Sequence, residues 1–359
     1  MGGGRSPMIN VAILGAGIGR EHLMGYRALP GQFQVKWVID LDTARAYTIL
    51  GGDAGPRVGD EAAEALSDPD VDLIDICLPP KLHVPMAIAA LEAGKHAIVE
   101  KPVAASLAEC DRLARAQAHG TARIFPVFQY RYGPATAALD ALITEGLVGA
   151  PQVAAIETHW DRGLDYYAVP WRGTWAGELG GAVLGHAIHN HDFLTRYFGA
   201  PAQVQAMLAT RVNPIETEDC AAISLVFEGG ALATSSVTLG AAGNASRINM
   251  VFEQLTATSG SAPYAPATGN WRFSARNPKD QGAVDAIVAR HSRAPAGFVG
   301  YLAAVADAIA GDVTRAVTLE DGRRSVELVT AIYAAAAHGA AISLPLGPNG
   351  ALYSGWQPG

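Results

Sequence analysis

Two stretches of the chain combine residue types suited to handling a dinucleotide. Gly15-Ala16-Gly17-Ile18-Gly19-Arg20 closes an apolar run that begins at Ile9 and precedes a segment of helical character. Glycines at such a junction let the backbone turn tightly and approach a pyrophosphate, whose charge suits a helix N-terminus. The spacing is irregular, since a strict Gly-x-Gly-x-x-Gly would want glycine where Arg20 stands. The context compensates, because Asp40 ends the second apolar run. A carboxylate there accepts from ribose hydroxyls and repels a 2′-phosphate. Leu41 and Asp42 follow it rather than arginine, which favours NAD over NADP.

Three later clusters carry polar chemistry. Leu78-Pro79-Pro80-Lys81-Leu82-His83 follows the third apolar run, and Glu100-Lys101-Pro102 ends the fourth. The carboxyl ends of parallel strands are where such sheets bind ligands. A lysine there has its pKa lowered by burial or by a neighbouring cation, so its amine can exchange a proton with a substrate hydroxyl. A lone lysine is more often a solvated charge, so Lys101 counts only in company. His186 and His189 lie three apart on a helical stretch, with Asn190 and Asp192 beyond them. A metal reading would recruit His159 and Asp161, but strand-borne His159 would have to meet that helix and no HExxH or facial-triad spacing is present. No metal is therefore assigned. Tyr130, Arg131, Trp171, Arg172 and Trp175 suit polyols through aromatic faces and guanidinium forks. Singly, each is as well explained by packing or a surface pair. Their concentration in an irregular loop before the histidines is what singles them out.

The elements that must position these groups follow from periodicity. Apolar runs Ile9–Gly17, Gln34–Asp40, Val71–Pro79, His96–Pro102 and Arg123–Phe128 alternate with helical segments. That alternation predicts a parallel sheet covered on both faces, a doubly wound α/β (Rossmann) domain over residues 1–126 with 1–8 as a flexible tail. Beyond it, helices over 135–145 and 186–197 bracket a strand over 152–160. Several strands then follow without crossovers, with a hairpin turn at Phe227–Ala231. Residues 127–359 therefore read as an α+β domain with a large, mostly antiparallel open sheet.

Composition sets the outer limits. The 359 residues are 50% hydrophobic and 17% charged, enough for two cores. The 40 Gly and 21 Pro are scattered as turn punctuation, which argues against disorder. A net charge of −8 speaks against a nucleic-acid surface. Three dispersed cysteines without a CxxC pair speak against a zinc ribbon or disulfide framework and for a reducing, cytoplasmic setting. No apolar run approaches a membrane span, and the opening residues lack a secretory h-region. Gly2 and Ser6 fit the myristoylation pattern, but a plain tail is the simpler expectation.

Taken together, the Gly15 loop, the Asp40 strand end, LPPKLH, HAIVEKP, GELGGAVLGHAIHNHD and LEDGRRSVELVTAIY resemble the glucose–fructose oxidoreductase / inositol dehydrogenase / MocA family over residues 9–345. The resemblance implies hydride transfer between a secondary alcohol of a sugar or cyclitol and NAD, and a homo-oligomer, dimer or tetramer, formed through the C-terminal sheet. Lys101 matches the family's catalytic lysine. Aligned on Asp192, His189 matches its catalytic histidine, while the family's aspartate position falls on Gly185; His186, one residue on, is the candidate replacement. A histidine suits the base that takes the hydroxyl proton, with Lys101 polarising the oxygen, and the opposite division stays open. The cofactor-facing residues expected are Gly15, Gly17, Ile18, Gly19, Arg20, Asp40, Leu41, Leu78, Pro79, His83, Glu100, Lys101 and Gln129. Those expected to face substrate are Lys101, Tyr130, Arg131, Trp171, Arg172, His186, His189 and Asn190. The rival readings are an NAD-recycling glycosidase of the same fold and a non-catalytic NAD-binding sensor. No nucleic-acid or membrane partner is expected.

Overall fold

The computed structural model describes residues 8–350 and 352–357. Apart from Met8, the expected tail lies outside the described residues, as does the Gly2/Ser6 pattern. The chain divides into two compact units. One takes the described residues up to Ala105 together with Glu109–Val127 and Phe298–Arg323, and the other takes Ser106–Ala108, Phe128–Gly297 and the described residues from Arg324 onward. The segment Phe298–Arg323, placed by the sequence reading in residues 127–359, thus clusters with the earlier unit.

In the first unit, strands β1 (Ile9–Leu14), β2 (Phe33–Ile39), β3 (Arg57–Gly59), β4 (Leu73–Ile76), β5 (His96–Val99) and β6 (Ile124–Pro126) form one sheet in the order 3-2-1-4-5-6. Every pairing is parallel. Helices α1 (Gly19–Arg27), α2 (Thr43–Leu50), α3 (Ala62–Ser67) and α4 (His83–Glu92) alternate with the strands, followed by α5 (Leu107–Ala118). All four residues of β4 are buried, as expected where a parallel sheet is covered on both faces. One of them is Asp75, a charge in an otherwise apolar run.

The second unit contains α6 (Pro134–Thr144), β7 (Pro151–Asp161), α7 (Leu164–Tyr167), α8 (Trp175–Glu178), a π-helical turn over Val183–Ala187 and α9 (Ile188–Phe198). Strands β8 (Pro201–Ala209), β9 (Cys220–Phe227), β10 (Leu232–Thr238), β11 (Gly240–Phe252), β12 (Leu255–Thr258), β13 (Arg272–Ala275) and β14 (Ile342–Ser343) join β7 in an eight-stranded sheet. Its order is 13-12-11-7-10-9-8-14, antiparallel except between β7 and β10. Helix α10 (Gln281–His291) belongs to this unit, α11 (Gly297–Ile309) falls almost wholly in the first, and α12 (Leu319–His338) runs from the first into the second. Both expected architectures are present.

Strand period decides which side chains of the large sheet enter its core. Along β7, Ala154, Ile156, Thr158 and Trp160 are buried, while Val153 and Ala155 are exposed. Phe198 of α9 packs its ring 5.4 Å from Phe227 and 5.6 Å from Phe252. Each such fully buried side chain contributes roughly 1.5–3 kcal/mol. The core is therefore built by one sheet face and α9, the helix that carries the histidines. Among the described residues no helix is long and apolar enough to cross a membrane.

Candidate functional site

The glycine loop is dictated by its floor. Gly15 adopts φ +99°, and a Cβ there would collide with the Cys77 carbonyl. Gly17 meets nothing within 4 Å, which leaves its backbone open to a ligand. α1 begins at Gly19, and its N-cap residue Ile18 makes no side-chain cap, so its N-terminus and dipole suit a pyrophosphate. These features fit a dinucleotide. Ile18 is half exposed, and Arg20 makes only a surface pair with Glu21 at 3.3 Å, of little energetic weight.

Asp40 is anchored on all sides. Its carboxylate accepts from the Ala16 amide at 2.7 Å and the Asp42 amide at 2.9 Å, and pairs with Arg45 Nη2 at 2.7 Å and Nε at 3.2 Å. Burial opposes its ionisation, but the Arg45 bonds and the two amides hold its pKa below the ordinary carboxylate range. No arginine directly follows Asp40, yet Arg45, five residues on, reaches it across the first turn of α2. Leu41 is 92% exposed.

Two loops beyond the strands are tied to one another. His83 is buried, with Nδ1 2.7 Å from the Pro102 carbonyl and Nε2 2.8 Å from that of Leu78. Burial lowers its pKa, so the neutral ring, expected to face cofactor, sits instead between the segments after β4 and β5 and donates to one of the two carbonyls. Pro79 is exposed and Lys101 half buried. Glu100 accepts from the Lys101 amide through Oε2 at 3.0 Å, and its Oε1 lies 3.0 Å from His22 Nε2. The other nitrogen of His22 lies 2.9 Å from Asp75, which also accepts from the Tyr26 hydroxyl at 2.8 Å. With a carboxylate at each nitrogen, both N–H groups donate and the ring is an imidazolium. Burial works against that charge, but Asp75 and Cys77 outweigh it and raise the His22 pKa well above its usual value. Among the described residues, His22, Asp75 and Cys77 are also close enough to share a cation. The hydrogen bonds already account for this geometry.

In the second unit the π-turn leads into α9. His189 is buried, stacked on Tyr130 at 4.5 Å and edge-on to Phe128 at 5.9 Å. His186 is buried against Trp160 at 5.3 Å, with Nε2 3.4 Å from the Tyr166 hydroxyl. Two expected substrate contacts are corrected. Arg131 is buried in a bidentate pair with Asp192, at 2.7 and 2.6 Å, so its fork braces α9 rather than reaching for a polyol. Asn190 is fully buried and donates to Thr158 Oγ1 at 2.8 Å, fixing α9 to β7. The metal alternative also fails on geometry. His159 and Trp160 point to opposite faces of β7, and His159 Nε2 meets Ser236 Oγ at 2.9 Å while Trp160 contacts His186. Trp171 is half exposed beneath Arg172, and Gln129 is half buried.

Glu218 supports the start of the π-turn. It accepts from the Gly181 amide at 3.1 Å, the Val183 amide at 3.0 Å and the Tyr333 hydroxyl at 2.9 Å. A Cβ at Gly181 would collide with the Glu218 backbone carbonyl, and one at Gly180 with the Tyr333 hydroxyl, which explains the paired glycines. Burial pushes the Glu218 carboxyl up to about 7 despite those donors.

Residues 9–127 match the profile described as an oxidoreductase family with an NAD-binding Rossmann fold, and residues 136–258 match its C-terminal domain. The chain belongs to the Gfo/Idh/MocA family. Its first unit is therefore an NAD-binding Rossmann domain. An uncharacterised oxidoreductase of Synechocystis is 28% identical over 243 residues, 62% of this chain and 63% of that protein. Levoglucosan dehydrogenase of Pseudarthrobacter phenanthrenivorans is 30% identical over 240 residues, 62% of this chain and 60% of the enzyme. The chain thus spans less than two thirds of either curated relative. Among solved structures, the WlbA dehydrogenase of Bordetella pertussis, in complex with NADH and UDP-GlcNAcA, superposes with a TM-score of 0.81 at 26% identity. It covers 95% of this chain and 100% of the other.

The Gfo/Idh/MocA motifs do not single out His22, Asp75, Arg45 or Glu218, which the structure places in or beside the site. Asp75 carried a usable signal, because an acid within a buried strand needs a partner. The partners of the others are set by tertiary contacts that spacing does not encode.

Proposed function

We propose that the protein is an NAD-dependent dehydrogenase that moves a hydride between a secondary alcohol of a sugar, cyclitol or glycoside and the nicotinamide. The observation that carries this reading is the tether on Lys101. Its amide is held by Glu100, and Glu100 by the buried imidazolium of His22, so a lysine leaves β5 from a fixed backbone. The relatives named for levoglucosan and crystallised with UDP-GlcNAcA support a sugar-type substrate.

When bound, NAD supplies the hydride acceptor. Gly15, Gly17, Ile18 and Gly19 hold its pyrophosphate, and Asp40 its ribose hydroxyls. The Lys101 amine donates to the alcohol oxygen and steadies charge as it develops there. A ring nitrogen of His189 takes the hydroxyl proton, its plane fixed by the stack on Tyr130. His186, Trp171 and Arg172 line the sugar. We assign the first unit to cofactor and the second to substrate and assembly. The exposed side chains of Val153, Met207 and Leu232 on the large sheet support a homo-oligomer formed through that face, readable by light scattering. The free cysteines support a reducing cytoplasm.

The test is a panel of free sugars, inositols and glycosides with NAD, followed by NADH absorbance. Accumulation of NADH with one of them supports the dehydrogenase. Release of a leaving group without NADH build-up would point to the NAD-recycling glycosidase, and NAD binding with neither reaction to a sensor.

A further inference from the structure

Asp40 has no acceptor position to spare. An ionised carboxylate offers about four lone-pair sites, two on each oxygen. Oδ2 takes the Ala16 amide at 2.7 Å and Arg45 Nε at 3.2 Å, and Oδ1 takes the Asp42 amide at 2.9 Å and Arg45 Nη2 at 2.7 Å. The protein's own donors thus fill every site, while the ribose assigned to Asp40 brings its neighbouring hydroxyls as further donors. One of the present donors has to leave.

The donors differ in how easily they can do so. The two amides are main chain. Ala16 lies in the glycine loop, whose path is pinned where Gly15 closes on the Cys77 carbonyl, and Asp42 is the N-cap of α2. Arg45 reaches Asp40 by a long side chain that is 53% exposed. Among the described residues Asp40 is its only salt-bridge partner, and water can take over the N–H groups of an exposed guanidinium at little cost. Asp42, one turn earlier and exposed, stays beside Arg45 after release, its Oδ1 accepting the Arg45 amide at 3.2 Å.

The same placement gives Arg45 a second use. The 2′-phosphate of NADP is an ester of one of the ribose hydroxyls, so a dinucleotide seated at Asp40 brings that phosphate within reach of the fork. A guanidinium pairs with phosphate bidentately. Asp40 prevents this twice over, by repelling the phosphate and by occupying the fork.

We propose that Arg45 is a displaceable specificity residue, which fills the ribose positions of Asp40 until NAD expels it and which forms a latent receptor for the 2′-phosphate of NADP. The inference rests on the reading of Asp40 as the ribose ligand.

The experiment measures Kd for NADH and NADPH by calorimetry, without substrate, in the wild type, R45M, D40N and D40N/R45M. Methionine keeps an unbranched stem on the exposed turn. Asparagine keeps the shape of Asp40 and an oxygen for the main-chain amides, but cannot grip a guanidinium with two oxygens. R45M should bind NADH about two- to fivefold more tightly than the wild type, although it removes a positive charge from the surroundings of an anionic ligand. D40N should bind NADPH at least about tenfold more tightly than the wild type, and D40N/R45M should lose that gain. NADH bound equally or more weakly by R45M overturns the displacement. No NADPH gain in D40N, or an equal gain in D40N/R45M, overturns the phosphate receptor. Either failure leaves the ribose assignment standing if D40N weakens NADH, whereas D40N binding NADH as tightly as the wild type removes that assignment and the inference with it.

Discussion

Replacing His22 by alanine would remove the buried cation that lies 2.9 Å from Asp75 and 3.0 Å from Glu100. Asp75 would keep the Tyr26 hydroxyl and Glu100 the Lys101 amide, but neither bond neutralises charge. Removing one partner of a buried ion pair costs about 3–5 kcal/mol, and the ring contact with Phe298 at 4.4 Å is lost as well. At about 1.4 kcal/mol per decade, amide protection in β4 and β5 should fall by at least a hundredfold. Hydrogen exchange resolved to peptides reads those strands directly. The pH dependence gives a second check. The folded-state pKa of His22 is raised, so its contribution is fully present below its unfolded pKa of about 6.5 and is lost as pH rises through the folded value. The wild type should therefore lose protection on the alkaline side, and His22→Ala should lack that limb. A loss under about 1 kcal/mol, or an unchanged alkaline limb, would refute the account of His22 as a buried imidazolium.

Other consequences follow from the same geometry. Lys101→Ala and His189→Ala should each lower turnover at least about a hundredfold with NAD affinity within a few-fold; near-wild-type rates in either would remove that residue from the mechanism. Asp40→Ala should weaken NAD about tenfold or more by calorimetry and narrow the preference over NADP, and an unchanged Kd would undo the ribose assignment. Glu218 holds its proton up to about 7 in the folded state against about 4.5 unfolded, so its stabilising contribution is greatest below pH 4.5 and declines as pH rises to 7. Melting curves of Glu218→Gln should be flatter across that window, and a slope equal to wild type would argue against a buried acid there.

The parallel sheet and the glycine loop were legible in the sequence because they rest on local period and on backbone conformations few residues adopt. The direction His159 faces was also legible, since strand alternation places it opposite Trp160. Arg131 was misread for the converse reason. A guanidinium fork looks the same in sequence whether it awaits a ligand or already grips Asp192, 61 residues away. His22 looked like any helix residue, because its two carboxylate partners come from β4 and from the residue after β5, 53 and 78 residues further on.

The wide turn at Val183–Ala187 bears on what kind of change this segment tolerates. A π-turn carries one residue more than a regular helix would use, so distance along the chain and angle around the axis part company there. Removing a single residue would let the segment relax to ordinary helix and swing His186 away from Trp160, even with every chemical group retained. Counting back from Asp192 to Gly185 likewise compares positions across a change of phase. For this stretch, length is a constraint separate from identity, and insertions or deletions should harm it more than most single substitutions.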